Sequence, residues 1–148
     1  MKVYNTLSRT KEDFEPINKD KVNVYICGLT VYDYMHIGHA RTYMAFDTIL
    51  RYLKYRGYNI DYVQNVTDVD DKIIRRAKEK NINPKDLTEE FHKKAVEDST
   101  ALGLMEPKLY SKVTDNMGTI IGVVQKLIEK GFAYESDGNV YYEIGKFQ

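Results

Sequence analysis

Hydrophobic and polar positions set out a strand, a helix and a second strand in the first half of the chain. VNVYIC, from Val22 to Cys27, is a short β-rich apolar run closed by Gly28, which predicts a largely buried strand. A loop from Gly28 to Met35 follows. Beyond it Tyr43, Phe46, Leu50 and Leu53 recur at helical spacing, in a helix that starts near His36 to Ala40 and stops at Gly57. Tyr58, Ile60, Tyr62 and Val66 then alternate with Asn59, Asp61 and Asn65, so residues 58–66 form a strand whose rhythm Val63 and Gln64 break. Strand, helix and strand in succession make a βαβ unit, with parallel strands and a right-handed crossover. Ahead of it, Lys2 to Leu7 forms a short strand, followed by a charged connection through Phe14, Pro16 and Asn18.

The second half is mainly helical. Thr67 or Asp68 can cap a short helix carrying Ile73, Ile74 and Ala77, with Asp70 and Asp71 in its first turn, where the helix dipole favours carboxylates. Asn83 followed by Pro84 predicts an N-cap and a first helical residue, opening a helix through Leu87, Phe91, Ala95 and Leu102 that ends at Gly103. After a loop around Pro107, Thr114 or Asp115 can cap a helix bearing Met117, Ile121, Val124 and Ile128, ended by Gly131. Gly118 and Gly122 each cost that helix about 1 kcal/mol relative to Ala, which suggests close packing there. FAYE and VYYEI, joined by Ser136-Asp137-Gly138-Asn139, read as a β-hairpin. Asn81 to Pro84 is the best hinge, dividing residues 1–80, the first half of an α/β domain, from 81–148, a helical insertion ending in a hairpin.

Composition narrows the class. The chain has 148 residues, 43% hydrophobic and 30% charged, enough apolar surface for one domain with a core. Twenty-two basic residues balance 22 acidic ones, which removes global steering towards nucleic acid or anionic lipid but leaves local patches. The single cysteine cannot make an internal disulfide. Neither a signal-type apolar segment nor a membrane-length run is present, so the expected location is the cytoplasm, with no membrane partner. Thirteen tyrosines and no tryptophan are unusual, and several fall at amphipathic positions where a ring is buried and its hydroxyl wet.

The candidate chemistry lies where the first strand runs into the helix. The carboxyl end of a parallel strand is the usual ligand crevice of an open α/β sheet, and His36-Ile37-Gly38-His39 sits there. With His39 in the first helical turn, unpaired amides and the helix dipole favour a phosphate, and two imidazoles add hydrogen bonds. Gly38, lacking a side chain, lets a nucleotide approach the backbone. In the competing reading His36 is a helix cap and His39 a satisfied surface or core residue. Cys27 taken alone is a small buried core residue, and Thr67 an ordinary cap. Asp68, Asp70 and Asp71 suggest either a divalent metal or a capped helix start. Lys72, Arg75, Arg76, Lys78 and Lys80 form either a basic face for nucleic-acid phosphates or a solvated one. His92, in a charged helical stretch, is expected at the surface. A three-ligand metal site from Cys27, His36 and His39 is the least favoured arrangement, because it takes both imidazoles away from phosphate.

Three motifs now occur in order: Tyr4-Asn5-Thr6-Leu7, CGLTVYDYMHIGHART from Cys27 to Thr42, and NVTDVDDKIIRRA from Asn65 to Ala77. Together they resemble the amino-terminal part of cysteinyl-tRNA synthetase, a class I aminoacyl-tRNA synthetase, over nearly the whole chain. The resemblance implies ATP-dependent activation of L-cysteine to an enzyme-bound adenylate, with Mg2+ accompanying ATP, then transfer to the 3′ end of tRNA(Cys). It makes His36 and His39, in HIGH, the catalytic residues, with Ile37 and Gly38 contacting ATP. Gly28, Leu29, Thr30, Thr42, Asn65, Val66 and Thr67 would line the adenylate site, and Cys27 would be one of four ligands of a Zn2+ ion that binds the substrate thiolate. A soft metal selects sulfur over a hydroxyl where pocket shape alone cannot.

The other zinc ligands of that family lie later in the chain than Gln148, and no lysine-bearing K-M-S-K-S-like loop follows residue 39. The expected architecture is therefore an incomplete Rossmann-like parallel α/β sheet of two strands and at most a short addition, with a helical and β-hairpin insertion. This is expected to be an amino-terminal fragment inactive alone. Two rivals stand beside it: a ligase that forms the same adenylate but hands it to an amino sugar, and a non-catalytic nucleotide- or cysteine-binding module.

Overall fold

The computed structural model describes residues 1–147. β1 (Lys2–Asn5) pairs antiparallel with β2 (Thr10–Asp13), a hairpin of which only the first strand is legible from the pattern. The expected strand to Leu7 stops at Asn5 because the Asn5 side-chain oxygen accepts the Leu7 N–H and turns the chain, with Arg9 left-handed at φ 58°.

β3 (Lys21–Ile26), α1 (Ile37–Tyr55) and β4 (Asn59–Val66) form the expected unit, with β3 and β4 parallel from Lys21 opposite Asn59 to Ile26 opposite Gln64. The inward alternation of β4 continues through Gln64, which is buried, and the Tyr62 hydroxyl donates to its Oε1 at 3.2 Å. The polar residue breaks the hydrophobic pattern but keeps the pleat. α1 buries Ala40, Tyr43, Leu50 and Leu53, whereas Phe46, expected on that face, is 39% exposed. Asp47, one turn beyond Tyr43, points inward instead, and its carboxylate accepts the Met105 N–H at 2.8 Å.

α2 (Asp71–Lys80) is capped by Asp70, whose carboxylate accepts the Lys72 N–H at 2.8 Å. Thr67 and Asp68, the expected caps, are engaged elsewhere: Thr67 in a backbone bridge to Thr30, and Asp68 in accepting the Thr114 N–H at 3.0 Å. α3 (Pro84–Ala101) starts as expected, with Asn83 as cap and Pro84 in the first turn. Ile73 and Ala77 of α2 meet Leu87 and Phe91 of α3, with Val31 and Val66, in one buried cluster. Ile74 and Leu102, named with them in the apolar pattern, are exposed.

Pro107 leads into β5 (Leu109–Lys112), which adds to β4 in parallel and completes a sheet of order β3-β4-β5. Four residues are too few for periodicity to reveal. Residues 81–148 thereby contribute a strand to the sheet of residues 1–80. A single 3₁₀ turn (Thr114–Asn116) precedes α4 (Met117–Glu129), so neither Thr114 nor Asp115 caps it directly. No residue of α4 is buried, and a Cβ at Gly118 or Gly122 would meet nothing within 4 Å, which overturns the close-packing expectation. β6 (Ala133–Ser136) and β7 (Asn139–Tyr142) form the expected hairpin, with Asp137 and Gly138 both at positive φ in its turn.

Candidate functional site

Two loops leave the carboxyl ends of β3 and β4 and are laced together. The Gly28 N–H donates to Asn65 Oδ1 at 2.7 Å, and Asn65 Nδ2 donates to Thr67 Oγ1 at 3.2 Å. The Thr67 N–H donates to the Leu29 carbonyl, and the Val31 N–H to the Thr67 carbonyl. Of the expected site residues, Gly28, Leu29, Thr30, Asn65, Val66 and Thr67 are thus brought together. Gly28 has an internal reason to be glycine: a Cβ there would lie 1.7 Å from the Asn65 carbonyl oxygen. Val66 is buried in the core beneath this floor.

The imidazoles of His36 and His39 stack, with centroids 3.6 Å apart and planes 22° from parallel. His36 is the N-cap of α1: its Nδ1 accepts the Gly38 N–H at 3.1 Å, while His39 Nδ1 accepts the His36 N–H at 3.3 Å. This reciprocal box is the capping role of the competing reading, and it coexists with an outward face. The His39 and Ala40 amides also turn inward, onto the His36 carbonyl. The expected array of unpaired helix-start amides is therefore largely spent within the protein. With both Nδ1 atoms accepting, a neutral imidazole keeps its proton on Nε2, so two N–H donors replace the amides as the outward groups. Burial, with the neighbouring His36, lowers the His39 pKa and favours that neutral form. Gly38 is needed because the His36 ring occupies the place of its side chain: a Cβ would sit 2.9 Å from His36 Cε1. The Thr42 hydroxyl donates back to the Gly38 carbonyl at 3.1 Å, bracing this first turn, and Ile37 stands 86% exposed beside it.

Cys27 lies one residue past β3 and is exposed, not the buried core residue that its composition suggests. Among the described residues no group of three or more His, Cys, Asp or Glu is arranged to hold a metal, so Cys27, His36 and His39 do not form a ligand set and the three aspartates do not form a cation site. These residues do not by themselves fit a zinc ion: one thiol is offered and the tetrahedron has no other ligand here. The basic face of α2 is partly spent. Arg76 pairs with Asp33 at 3.2 Å and with Glu79, Lys72 lies over the Tyr32 ring and Lys80 over Phe91.

One feature lay beyond sequence reasoning. Leu29 and Asn65 also line a cavity that runs beneath the loops to Tyr43, Gln64, Tyr110 and His92. His92 is not a surface residue: it is partly buried, packs edge-on against Tyr110 at 5.1 Å, and its Nε2 is buried without a hydrogen-bond partner. Burial, reinforced by the charge of Lys112, lowers its pKa, and Asp68 opposes the shift. The same desolvation pushes the Tyr43 hydroxyl up to about 12. Only the helical spacing of Phe91 and His92 behind Leu87 hinted that this stretch faces inward.

The family described as tRNA synthetases class I (C) catalytic domain matches residues 13–148. The chain belongs to that family. Across all 148 residues it is 51% identical to proteins named cysteine--tRNA ligase from Methanococcus maripaludis, Ligilactobacillus salivarius and Thermococcus kodakarensis, covering 31%, 32% and 31% of their lengths respectively. It therefore spans about a third of the curated relatives it matches. Among solved structures, Mycobacterium tuberculosis methionyl-tRNA synthetase in complex with methionyl-adenylate superimposes with TM-score 0.70 at 17% identity, over 78% of this chain and 23% of that one. The Agrobacterium radiobacter LeuRS-tRNA-LeuAMS ternary complex gives 0.67 at 20% identity, over 84% of this chain and 16% of that one. These likenesses establish the Rossmann-like class I synthetase fold of the family. Among the described residues no helix is long and apolar enough to cross a membrane.

Proposed function

We propose that this polypeptide is the ATP-binding portion of a cysteine--tRNA ligase, which activates L-cysteine and transfers it to the 3′ end of tRNA(Cys) in the cytoplasm. The observation that carries the reading is the stacked His36–His39 pair at the start of α1, each Nδ1 tied to backbone so that the Nε2–H groups are left to donate. In the first step a cysteine carboxylate oxygen bonds to the α-phosphorus of ATP while the bond to the bridging oxygen breaks and pyrophosphate departs. Negative charge grows on the phosphate oxygens, where two fixed donors strengthen as it develops. Ile37 and Gly38 contact the nucleotide beside them, and Mg2+ accompanies the triphosphate. Gly28, Leu29, Thr30, Thr42, Asn65, Val66 and Thr67 shape the adenylate floor, and the hydrogen bonds that join the two loops hold it in place before substrate arrives. The accessible thiol of Cys27 suits one ligand of a zinc ion, with the remaining ligands supplied from outside the described residues.

ATP–pyrophosphate exchange in the full-length protein tests the reading. His39→Ala is expected to lower cysteine-dependent exchange by about 100-fold or more, while costing stability only about 1 kcal/mol for its share of the cap. Equal exchange in the variant would overturn the assignment. Acceptor assays that charge tRNA but not an amino sugar would identify the second substrate, and metal analysis of Cys27→Ser against wild type would report the zinc ligand.

A further inference from the structure

Both loops of the proposed adenylate floor run on into the walls of a second cleft. The β3 loop continues past Thr30 to Tyr32 and Asp33, and the β4 loop passes from Thr67 into α2, where Lys72, Arg75, Arg76 and Glu79 share one face. These residues line a groove of about 190 Å³. Its walls are held together from below: Val31 lies in one buried cluster with Ile73 and Ala77 of α2, Tyr32 packs against that cluster, and the Val31 N–H donates to the Thr67 carbonyl. The groove is thereby fixed to the adenylate floor on both sides.

Its charge is unevenly spent. Three cations and two carboxylates line it, and both carboxylates go to Arg76, Asp33 at 3.2 Å and Glu79 at 3.5 Å. Lys72 and Arg75 make no ion pair among the described residues, nor does Lys78, one turn beyond Arg75. Lys72 lies 5.7 Å from the centre of the Tyr32 ring, and Arg76 Nε is buried with no acceptor. The groove therefore holds more donors than acceptors.

We propose that this groove binds a backbone phosphate of the tRNA acceptor end, with Lys72 and Arg75 supplying the contacts. The inference rests on the reading of the chain as part of a cysteine--tRNA ligase. Position carries it: the 3′ end has to reach the adenylate to accept cysteine, and the groove borders the adenylate floor through Thr30 and Thr67. The chemistry agrees, because a phosphate supplies the counter-ion that Lys72 and Arg75 lack, and a guanidinium can give it two parallel hydrogen bonds. With 22 basic residues against 22 acidic ones in these 148, attraction for nucleic acid depends on local groups of unpaired cations. Neither His36 nor His39, where the phosphates of ATP are proposed to lie, lines the groove.

The test uses full-length protein as wild type and as Lys72→Gln/Arg75→Gln, with Lys85→Gln on α3 as a control for simple loss of charge. Binding of a tRNA(Cys) transcript is measured as a function of salt. The double variant should bind about tenfold or more weakly, with the slope of log affinity against log salt reduced by about 2. Cysteine-dependent ATP–pyrophosphate exchange, which needs no tRNA, should keep its kcat and KM values. Lys72→Arg/Arg75→Lys, which retains both charges, should recover much of the affinity. Unchanged tRNA affinity and slope in the double variant, or an equal loss in Lys85→Gln, overturns the proposal. So does a raised KM for ATP in exchange, which would make the groove a nucleotide site. If the double variant is too unstable to measure, chemical labelling of the Lys72 amine in wild type decides: protection by tRNA(Cys) but not by ATP supports the contact, whereas no protection, or protection by ATP, overturns it. Wild type that exchanges pyrophosphate and charges tRNA yet fails these criteria sinks this inference alone; wild type that neither exchanges nor binds tRNA sinks the function as well.

Discussion

Single residues here are chosen by what lies within a few ångströms of them, and two glycines make the point. Gly28 admits no Cβ because the Asn65 carbonyl oxygen stands 1.7 Å from where it would be, and backbone cannot step aside. Gly28→Ala is therefore expected to cost about 3 kcal/mol or more, read as a loss of urea midpoint at unchanged slope. Gly38→Ala differs, since the atoms in its way belong to the His36 ring. The helix gains about 1 kcal/mol of propensity while losing a cap of similar worth, so the melting temperature should move little while exchange activity falls as the imidazole is displaced. An active Gly38→Ala enzyme would separate His36 from the chemistry.

Histidine burial has a pH consequence. His39 and His92 bind protons less readily folded than unfolded, and in each the largest cause is desolvation. Their contribution to stability is full above the ordinary imidazole value of about 6.5 and is lost as pH falls through it, because the unfolded chain takes up protons that the folded one refuses. The melting temperature should decline between about pH 7.5 and 5.5, and His92→Phe, which removes one such group, should decline less steeply over the same range. Lys112, Asp68 and Tyr110 are the charged and titratable groups that bear on His92. An identical slope in the variant would show that His92 is not among the groups responsible.

Elements were legible wherever their local chemistry is complete. Asn83 and Pro84 announce α3, and Asp137 and Gly138 announce the last hairpin, because cap and turn need only their own neighbours. The cap of α2 was not legible among Thr67, Asp68 and Asp70, since three nearby acceptors compete and contacts from Thr30 and Thr114 decide. Asp70→Ala should cost about 1 kcal/mol. Gly118→Ala and Gly122→Ala, where the added methyl meets open space, should each stabilise α4 by a similar amount, up to about 1 kcal/mol. Thermal unfolding of the three variants checks both signs, and a destabilised Gly122→Ala would mean that α4 packs against something at that face.

At the scale of the whole molecule, a three-stranded parallel sheet holds the loops of β3 and β4 side by side, and α1 and α3 bring Tyr43 and His92 beneath them. Met117, Ile120, Ile121 and Val123 of α4 stay exposed, as do Tyr134, Val140, Tyr141 and Tyr142 of the hairpin. The 148 residues span about a third of the relatives they match and are expected by themselves to give no cysteine-dependent pyrophosphate exchange. Exchange by this polypeptide alone would overturn the expectation.

The sequence by itself determined the βαβ unit, the helix starting at His36, the hairpin and the motif-bearing loops, because periodicity, caps and turns act over a few residues. Tertiary structure alone decided that β5 joins the sheet, that Cys27 stands exposed, and that His92 turns its nitrogen into a cavity. Each of those outcomes depends on which atoms arrive from tens of residues away, and no local pattern encodes that arrival.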